Sequence, residues 1–149
     1  MGFQSQIIAV GKMKQSSPFL GAYSEYEKRL KNSVELITLE GKNTQDERDK
    51  ITAKLNTNSP IIALDELGKT LSSVELSQKI TELQNIKSGK VQFIIGGADG
   101  LNDDIRQRAD IVLSFGHLTW PHMLARVMLI EQIYRTQLIA ANHPYHREG

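Results

Sequence analysis

Cysteine is absent from the 149 residues of this chain. The chain therefore has no disulfide framework, no thiolate nucleophile and no cysteine-based zinc or iron–sulfur site. Long hydrophobic runs are also missing, since no segment approaches the roughly 20 apolar residues of a membrane span. The N-terminus lacks the basic region and apolar stretch of a secretory signal. Together these absences predict a cytoplasmic protein that does not enter a membrane.

A large excess of one charge is missing too, because the formal net charge is only +1. The chain is therefore not predicted to bind polyanions in general. Basic side chains nevertheless outnumber acidic ones over residues 1–31, where Lys12, Lys14, Lys28, Arg29 and Lys31 stand against Glu25 and Glu27. Such a surface can bind phosphate, but a pattern of this kind more often indicates lysines that are simply exposed to solvent.

Neither of the usual phosphate-binding glycine motifs is present. The run 96–100 (Gly-Gly-Ala-Asp-Gly) is not GxGxxG, and it lacks the lysine and Ser/Thr of a P-loop. Two interpretations stay open for this run. Its glycines either let backbone groups approach a ligand or form a strand-to-helix turn that needs positive φ.

Apolar strands alternate with helical segments along the chain. The predicted strands are 7–10, 34–39, 60–65, 91–95 and 111–113, and the predicted helices cover 18–30, 44–55, a segment capped by Ser72, 102–109 and 121–134. Thr44 and Glu47 have the spacing of a capping box, as do Ser72 and Glu75. The pattern predicts one α/β domain over 1–149, with helices on both faces of a mostly parallel, three-layer sheet.

Ligands of parallel sheets bind outside the carboxyl ends of the strands. Three predicted strand ends, at Leu64-Asp65, Gly96-Gly97 and Phe115-Gly116, are each followed by a loop. We therefore expect one pocket formed by three loops. Leu118 and Trp120 offer a wall for a flat base, although Trp120 taken alone is predicted to seal the core, as buried aromatic residues usually do.

The last predicted helix is apolar almost all round, and a helix of that kind is buried on more than one side. In so small a domain this predicts a homodimer. After it, residues 136–149 form a predicted substrate-facing tail. His143 and His146 have a metal-like spacing, but Pro144 argues against a helix that presents both on one face, and no metal is predicted. Tyr145 and Arg147 suit RNA better.

Five segments of the sequence resemble one known family. They are Ala9-Val10-Gly11-Lys12, 64–69 (Leu-Asp-Glu-Leu-Gly-Lys), 93–101 (Phe-Ile-Ile-Gly-Gly-Ala-Asp-Gly-Leu), 118–122 (Leu-Thr-Trp-Pro-His) and the Tyr145-His146 ending. Their order and spacing resemble the ribosomal large-subunit pseudouridine methyltransferase H family, a minimal single-domain group of the SPOUT methyltransferases. The resemblance covers essentially the whole chain.

This resemblance implies a C-terminal trefoil knot and S-adenosylmethionine as cofactor, bound largely by backbone groups of the knot loops. The implied cofactor-binding residues are Leu64, Gly96, Phe115, Gly116, His117, Leu118, Thr119 and Trp120. The implied reaction methylates ring nitrogen 3 of a pseudouridine in large-subunit (23S) ribosomal RNA. Because so small a chain has limited surface for reading RNA, we also predict that it acts on an assembled ribosome.

Candidates for catalysis lie in the tail. Tyr145 is predicted to stack on or orient the base, His146 to accept the proton, and Arg147 to meet phosphate or developing negative charge. His122, Arg135 and His143 form a second tier. Two alternatives stay open: a non-catalytic RNA- or ribosome-binding factor that uses the same tail, and an α/β enzyme for another nucleotide-like ligand.

Overall fold

Five parallel strands form one sheet in the computed structural model of this chain, which describes residues 2–147. The strands are β1 (Ser5–Val10), β2 (Val34–Leu39), β3 (Ile61–Thr70), β4 (Val91–Ile95) and β5 (Ile111–Ser114). The helices are α1 (Pro18–Arg29), α2 (Thr44–Lys54), α3 (Ser73–Ile86), α4 (Asp103–Arg108) and α5 (His122–Ala140). The strand order is β2-β1-β4-β3-β5, and every pairing is parallel. The predicted α/β class is confirmed.

The two faces of the sheet are both buried, because successive side chains of a strand point to opposite sides. Ile7 and Phe93 pack on one face with residues of α3 and α5. Ile8 and Ile94 pack on the other face with residues of α2 and α4, and α1 packs against α5. β4 is buried along its whole length. These contacts make the predicted three layers, while the trefoil knot stays a prediction.

The third strand does not end at Asp65 as predicted. It continues to Thr70, but its register with β5 shifts, so that Leu64 and Lys69 both pair with Leu113. Residues 65–68 therefore bulge out of the ladder. The prediction was wrong because Asp65, Glu66 and Gly68 lie close together, which is typical of a turn, whereas the chain returns to the sheet after the bulge.

The last helix also continues beyond its predicted end at Tyr134 and reaches Ala140. It ends in a Schellman motif, in which His143 N donates to Leu138 O and Asn142 N donates to Ile139 O. Asn142 has the left-handed φ of 56° that this motif requires. Residues 136–140 of the predicted tail are therefore helical, and residues 148 and 149 lie outside the described part of the chain.

Of the two predicted capping boxes, the structure corrects one and confirms the other. The N-cap of α2 is Asn43, whose side chain accepts from Asp46 N at 2.8 Å, so the capping box predicted at Thr44 was wrong. The box predicted at Ser72 is confirmed. Ser72 Oγ accepts from Glu75 N at 3.1 Å, and the Glu75 carboxylate accepts from Ser72 N.

Replacing this cap with Ser72→Ala is expected to lower the free energy of unfolding by about 1 kcal/mol, because the first turn of α3 loses a partner for its N–H groups. That loss corresponds to a fall in Tm of roughly 2–4 °C for a domain of this size. Thermal unfolding followed by circular dichroism measures it. Ser16→Ala, at an exposed position outside any helix, is the control, and an equal Tm for both variants would contradict the expectation.

Across residues 2–147, no helix combines the length and the apolar character needed to cross a membrane.

Candidate active site

A cavity of about 640 Å³ lies at the carboxyl ends of β3, β4 and β5, within the usual size range of small-molecule sites. The bulge of β3 and the loops that follow β4 and β5 form its walls. Seven of the eight predicted cofactor residues line it: Leu64, Gly96, Phe115, Gly116, Leu118, Thr119 and Trp120. His117, the eighth, is exposed and does not belong to the lining.

The glycine run over 96–100 forms a tight turn on one side of the cavity. A Cβ at Gly96 would lie only 2.7 Å from the carbonyl oxygen of Gly100, so this position requires close backbone approach. Gly100 has a φ of +77° and donates its N–H to Gly97 O at 3.0 Å. The positive φ of Gly100 supports the turn interpretation, and the approach of this backbone to a ligand stays a prediction.

The bulge of β3 forms a second wall and is held by Asp65. One oxygen of the Asp65 carboxylate accepts from Leu67 N at 2.9 Å, and the other accepts from Arg106 Nη1, also at 2.9 Å. Arg106 Nη1 also donates to Leu101 O at 2.6 Å, and its Nη2 is paired with Asp103. The ion pair therefore fastens the bulge to the turn that follows β4. The sequence prediction included neither Asp65 nor Arg106 as a site residue.

The third wall, the loop between β5 and α5, is connected to the same bulge. Ser114 Oγ donates to Glu66 O at 3.1 Å, and Thr119 Oγ1 donates to Glu66 Oε2 at 2.6 Å. Glu66 is thus held against a predicted cofactor residue. All three loops are cross-linked around the cavity, so its walls are largely pre-formed.

Three exposed apolar side chains surround the cavity mouth. Leu67 is 81% exposed, Leu118 72% and Trp120 39%, and all three line the cavity. The prediction that Trp120 seals the core was therefore wrong. Residues 117–121 of its loop are exposed, so the ring forms an apolar wall beside the cavity.

The lining suits a nucleoside with a cationic centre better than a phosphate ester. Its charged residues are Asp65, Glu66, Asp99 and Arg106, and no lysine lines the cavity in the described part of the chain. Trp120 and Leu118 offer apolar surface for a flat base. At Gly116 a Cβ would meet open space, which leaves backbone accessible. These features fit S-adenosylmethionine, which joins an adenosine to a sulfonium.

The tail residues gather on α5 instead of at the cavity. The turn at Asn142 reverses the chain, so that Tyr145 O–H donates to Glu131 Oε1 at 3.2 Å. The Tyr145 ring packs edge-on against Tyr134, with centroids 4.9 Å apart. Arg135 lies 4.8 Å from the Tyr145 ring centroid and donates from Nη1 to His146 Nδ1 at 3.1 Å. We call Glu131, Tyr134, Arg135, Tyr145 and His146 the tail cluster.

None of the three predicted catalytic residues lines the cavity of the same chain. Ala125 is the last residue of α5 that does, and Glu131 lies about 9 Å further along the helix. Burial, and then the negative charge of Glu131, raise the pKa of Tyr145, so its hydroxyl stays protonated at neutral pH. Arg147 is exposed at the end of the cluster.

Arg126 is a buried charge that the sequence analysis did not consider. It is fully buried on α5, where its Nη2 donates to Gly11 O at 2.7 Å. Its Nε and Nη1 have no hydrogen-bond partner among the described residues, and burial lowers the pKa of its guanidinium. Burial also raises the pKa of the nearby Tyr23 hydroxyl. An arginine within the otherwise apolar run 123–130 was the available signal.

A metal centre finds no support in residues 2–147, where no three His, Asp or Glu side chains are grouped to hold an ion. His143 Nδ1 instead accepts from Tyr145 N at 3.1 Å within the turn. Glu148, the acidic residue beside this pair of histidines, lies outside the described residues.

Comparison with known proteins agrees with this geometry. A family model described as "Predicted SPOUT methyltransferase" matches residues 3–146. The ribosomal RNA large subunit methyltransferase H of Rhodospirillum centenum is 39% identical over 148 residues, which cover 95% of this chain and 97% of that protein. The protein of the same name from Herminiimonas arsenicoxydans is 40% identical over 157 residues, covering 97% and 99%.

Among solved structures, a probable methylase family protein from Haemophilus influenzae Rd KW20 superposes with a TM-score of 0.58. It is 12% identical and the match covers 96% of this chain and 70% of that one, so it supports the fold alone. The sequence matches confirm the predicted family and the predicted enzyme class. Because they extend over nearly the full length, the chain belongs to the ribosomal RNA large subunit methyltransferase H family of SPOUT methyltransferases.

Proposed function

We propose that this chain transfers a methyl group from S-adenosylmethionine to ring nitrogen 3 of a pseudouridine in large-subunit ribosomal RNA. It does so as a homodimer, on assembled ribosomes in the cytoplasm. The observation that carries the proposal is the cavity where three loops meet, because its volume, apolar rim and acidic lining suit this cofactor. The names of the relatives, which specify the large subunit, support the RNA substrate.

When bound, S-adenosylmethionine supplies an electrophilic methyl carbon on a positively charged sulfur, which becomes a neutral thioether after transfer. The carbon–sulfur bond breaks as the carbon–nitrogen bond forms, and nitrogen 3 loses its proton to a base. The chain itself must therefore hold the donor, orient the acceptor ring in line with the methyl group, and take the proton.

The tail cluster is proposed to perform the second and third tasks. Tyr145 is a protonated phenol beside Glu131, so it stacks on or orients the base and does not remove the proton. His146 is the proposed proton acceptor. Because a guanidinium only donates, Nδ1 of His146 accepts from Arg135 in this structure, and this bond must be released for Nδ1 to take the proton from nitrogen 3. Arg147 is exposed and directly follows Tyr145 and His146 in the sequence, so it can bind phosphate.

The proposed homodimer follows from α5. Leu129, Ile130 and Ile133 bury one side of this helix, but Leu124 and Val127 are only half-buried. A second subunit would cover this apolar surface. Since the tail cluster lies away from the cavity of its own chain, we propose that each tail serves the cavity of the partner subunit.

The proposal is tested by incubating the protein with ribosomes that lack the modification and labelled S-adenosylmethionine, followed by mass spectrometry of the RNA nucleosides. The expected result is 3-methylpseudouridine in large-subunit RNA and no transfer to uridine at the same position. Ribosome association without methyl transfer or cofactor binding would favour the non-catalytic binding factor instead.

A further inference from the structure

The charges that line the cofactor cavity do not cancel. Asp65 is neutralised by its ion pair with Arg106 at 2.9 Å. Glu66 and Asp99 also line the cavity, and within residues 2–147 neither forms a salt bridge with a basic side chain. The cavity therefore presents two uncompensated carboxylates to whatever it binds.

Glu66 is exposed at the cavity wall, but hydrogen bonds hold it in place. Its Oε2 accepts from Thr119 Oγ1 at 2.6 Å, and its backbone oxygen accepts from Ser114 Oγ at 3.1 Å. Ser114 is the last residue of β5, and Thr119 lies in the loop between β5 and α5. A carboxylate fixed in this way keeps its negative charge at the cavity wall without a rearrangement on binding.

The donor and the product of methyl transfer differ by one methyl group and one positive charge. S-adenosylmethionine carries a sulfonium, whereas S-adenosylhomocysteine has a neutral sulfur, and their adenosine, ammonium and carboxylate groups are the same. Carboxylates without a basic partner at the cavity wall therefore attract the positively charged donor more strongly than the neutral product.

We propose that Glu66, assisted by Asp99, is a specificity-determining residue that makes the cavity prefer the cationic donor and release the neutral product. This inference rests on the proposed function. It assigns to the bulge of β3 a role in turnover, because a product that binds less tightly than the donor leaves the cavity free for the next donor.

The test is calorimetric titration of the dimer with each ligand, with the ratio of the two Kd values as the readout. Glu66→Gln keeps the shape and an acceptor for Thr119 but removes the charge. It is expected to reduce the preference for S-adenosylmethionine by about fivefold, mainly through weaker donor binding. Asp99→Asn is expected to shift the ratio in the same direction by less.

Glu82→Gln is the matched control, because Glu82 is 63% exposed at its side chain and does not line the cavity. Raising the salt concentration should reduce the preference of the wild type and leave that of Glu66→Gln nearly unchanged. An unaltered Kd ratio in both Glu66→Gln and Asp99→Asn, with both ligands still bound, would overturn the inference. Failure of the wild type to bind either ligand would instead overturn the proposed function.

Discussion

Gly96→Ala is expected to weaken the binding of S-adenosylmethionine by about 100-fold or more, equivalent to about 2.7 kcal/mol. The new Cβ would lie 2.7 Å from the oxygen and 2.8 Å from the carbon of the Gly100 carbonyl. Both are backbone atoms, so the turn over 96–100 must move, and that turn is one wall of the cavity. Calorimetric titration measures the loss, with circular dichroism to establish that the variant is folded.

Gly21→Ala is the matched control. Gly21 lies in α1, and a Cβ there would meet nothing within 4 Å, so cofactor binding should equal that of the wild type. Replacing glycine in a helix raises stability by up to about 1 kcal/mol. Binding to Gly96→Ala within threefold of the wild type would show that the turn tolerates a side chain and does not determine the site.

His146→Ala is expected to lower methyl transfer by about 100-fold or more, because removal of a general base usually costs a factor of this size. Cofactor affinity should stay within about twofold, since His146 is proposed to act on the acceptor base and not to hold the cofactor. Arg147→Ala should behave similarly, mainly through the KM for ribosomes. Arg108→Ala, an exposed arginine at the end of α4, is the control. A loss of cofactor binding in His146→Ala would contradict a role restricted to the acceptor.

Mixing the two inactive variants tests whether a tail serves the partner's cavity. Gly96→Ala subunits have an intact tail, and His146→Ala subunits have an intact cavity. Random exchange places half of the subunits in mixed dimers, each with one complete site if tails act across the interface, so about a quarter of wild-type activity should return. If mass spectrometry verifies the exchange and no activity returns, each tail acts on the cavity of its own subunit.

The sheet was predictable from sequence because apolar runs and turn residues follow local rules. Val34–Leu39 and Val91–Ile95 have the predicted bounds, and the Ser72 capping box formed as its spacing indicated. The end of α5 was predictable in principle. Asn142 followed by Pro144 is a helix-stop signal, but the predicted helix ends at Tyr134.

The site was only partly predictable, because some of its features depend on long-range contacts. That three strand ends meet follows from parallel topology, and this placed Leu64, Gly96 and Phe115 together. The pairing of Asp65 with Arg106 spans 41 residues, and that of Glu66 with Thr119 spans 53. No local pattern indicates either. Trp120 was predicted to lie in the core because of its residue type, although it belongs to a loop that is exposed over residues 117–121.

The strand order has a consequence for how the chain folds as it is synthesised. β1 pairs with β2 and β4, whereas β3 pairs only with β4 and β5. Until Val91–Ile95 has been translated, only the β1–β2 pair can form, and β3 has no neighbour. The nascent polypeptide therefore carries an unpaired apolar strand for a long interval, a state prone to aggregation. Folding should consequently be slow, dominated by contacts distant in sequence, and complete only after α5 has emerged.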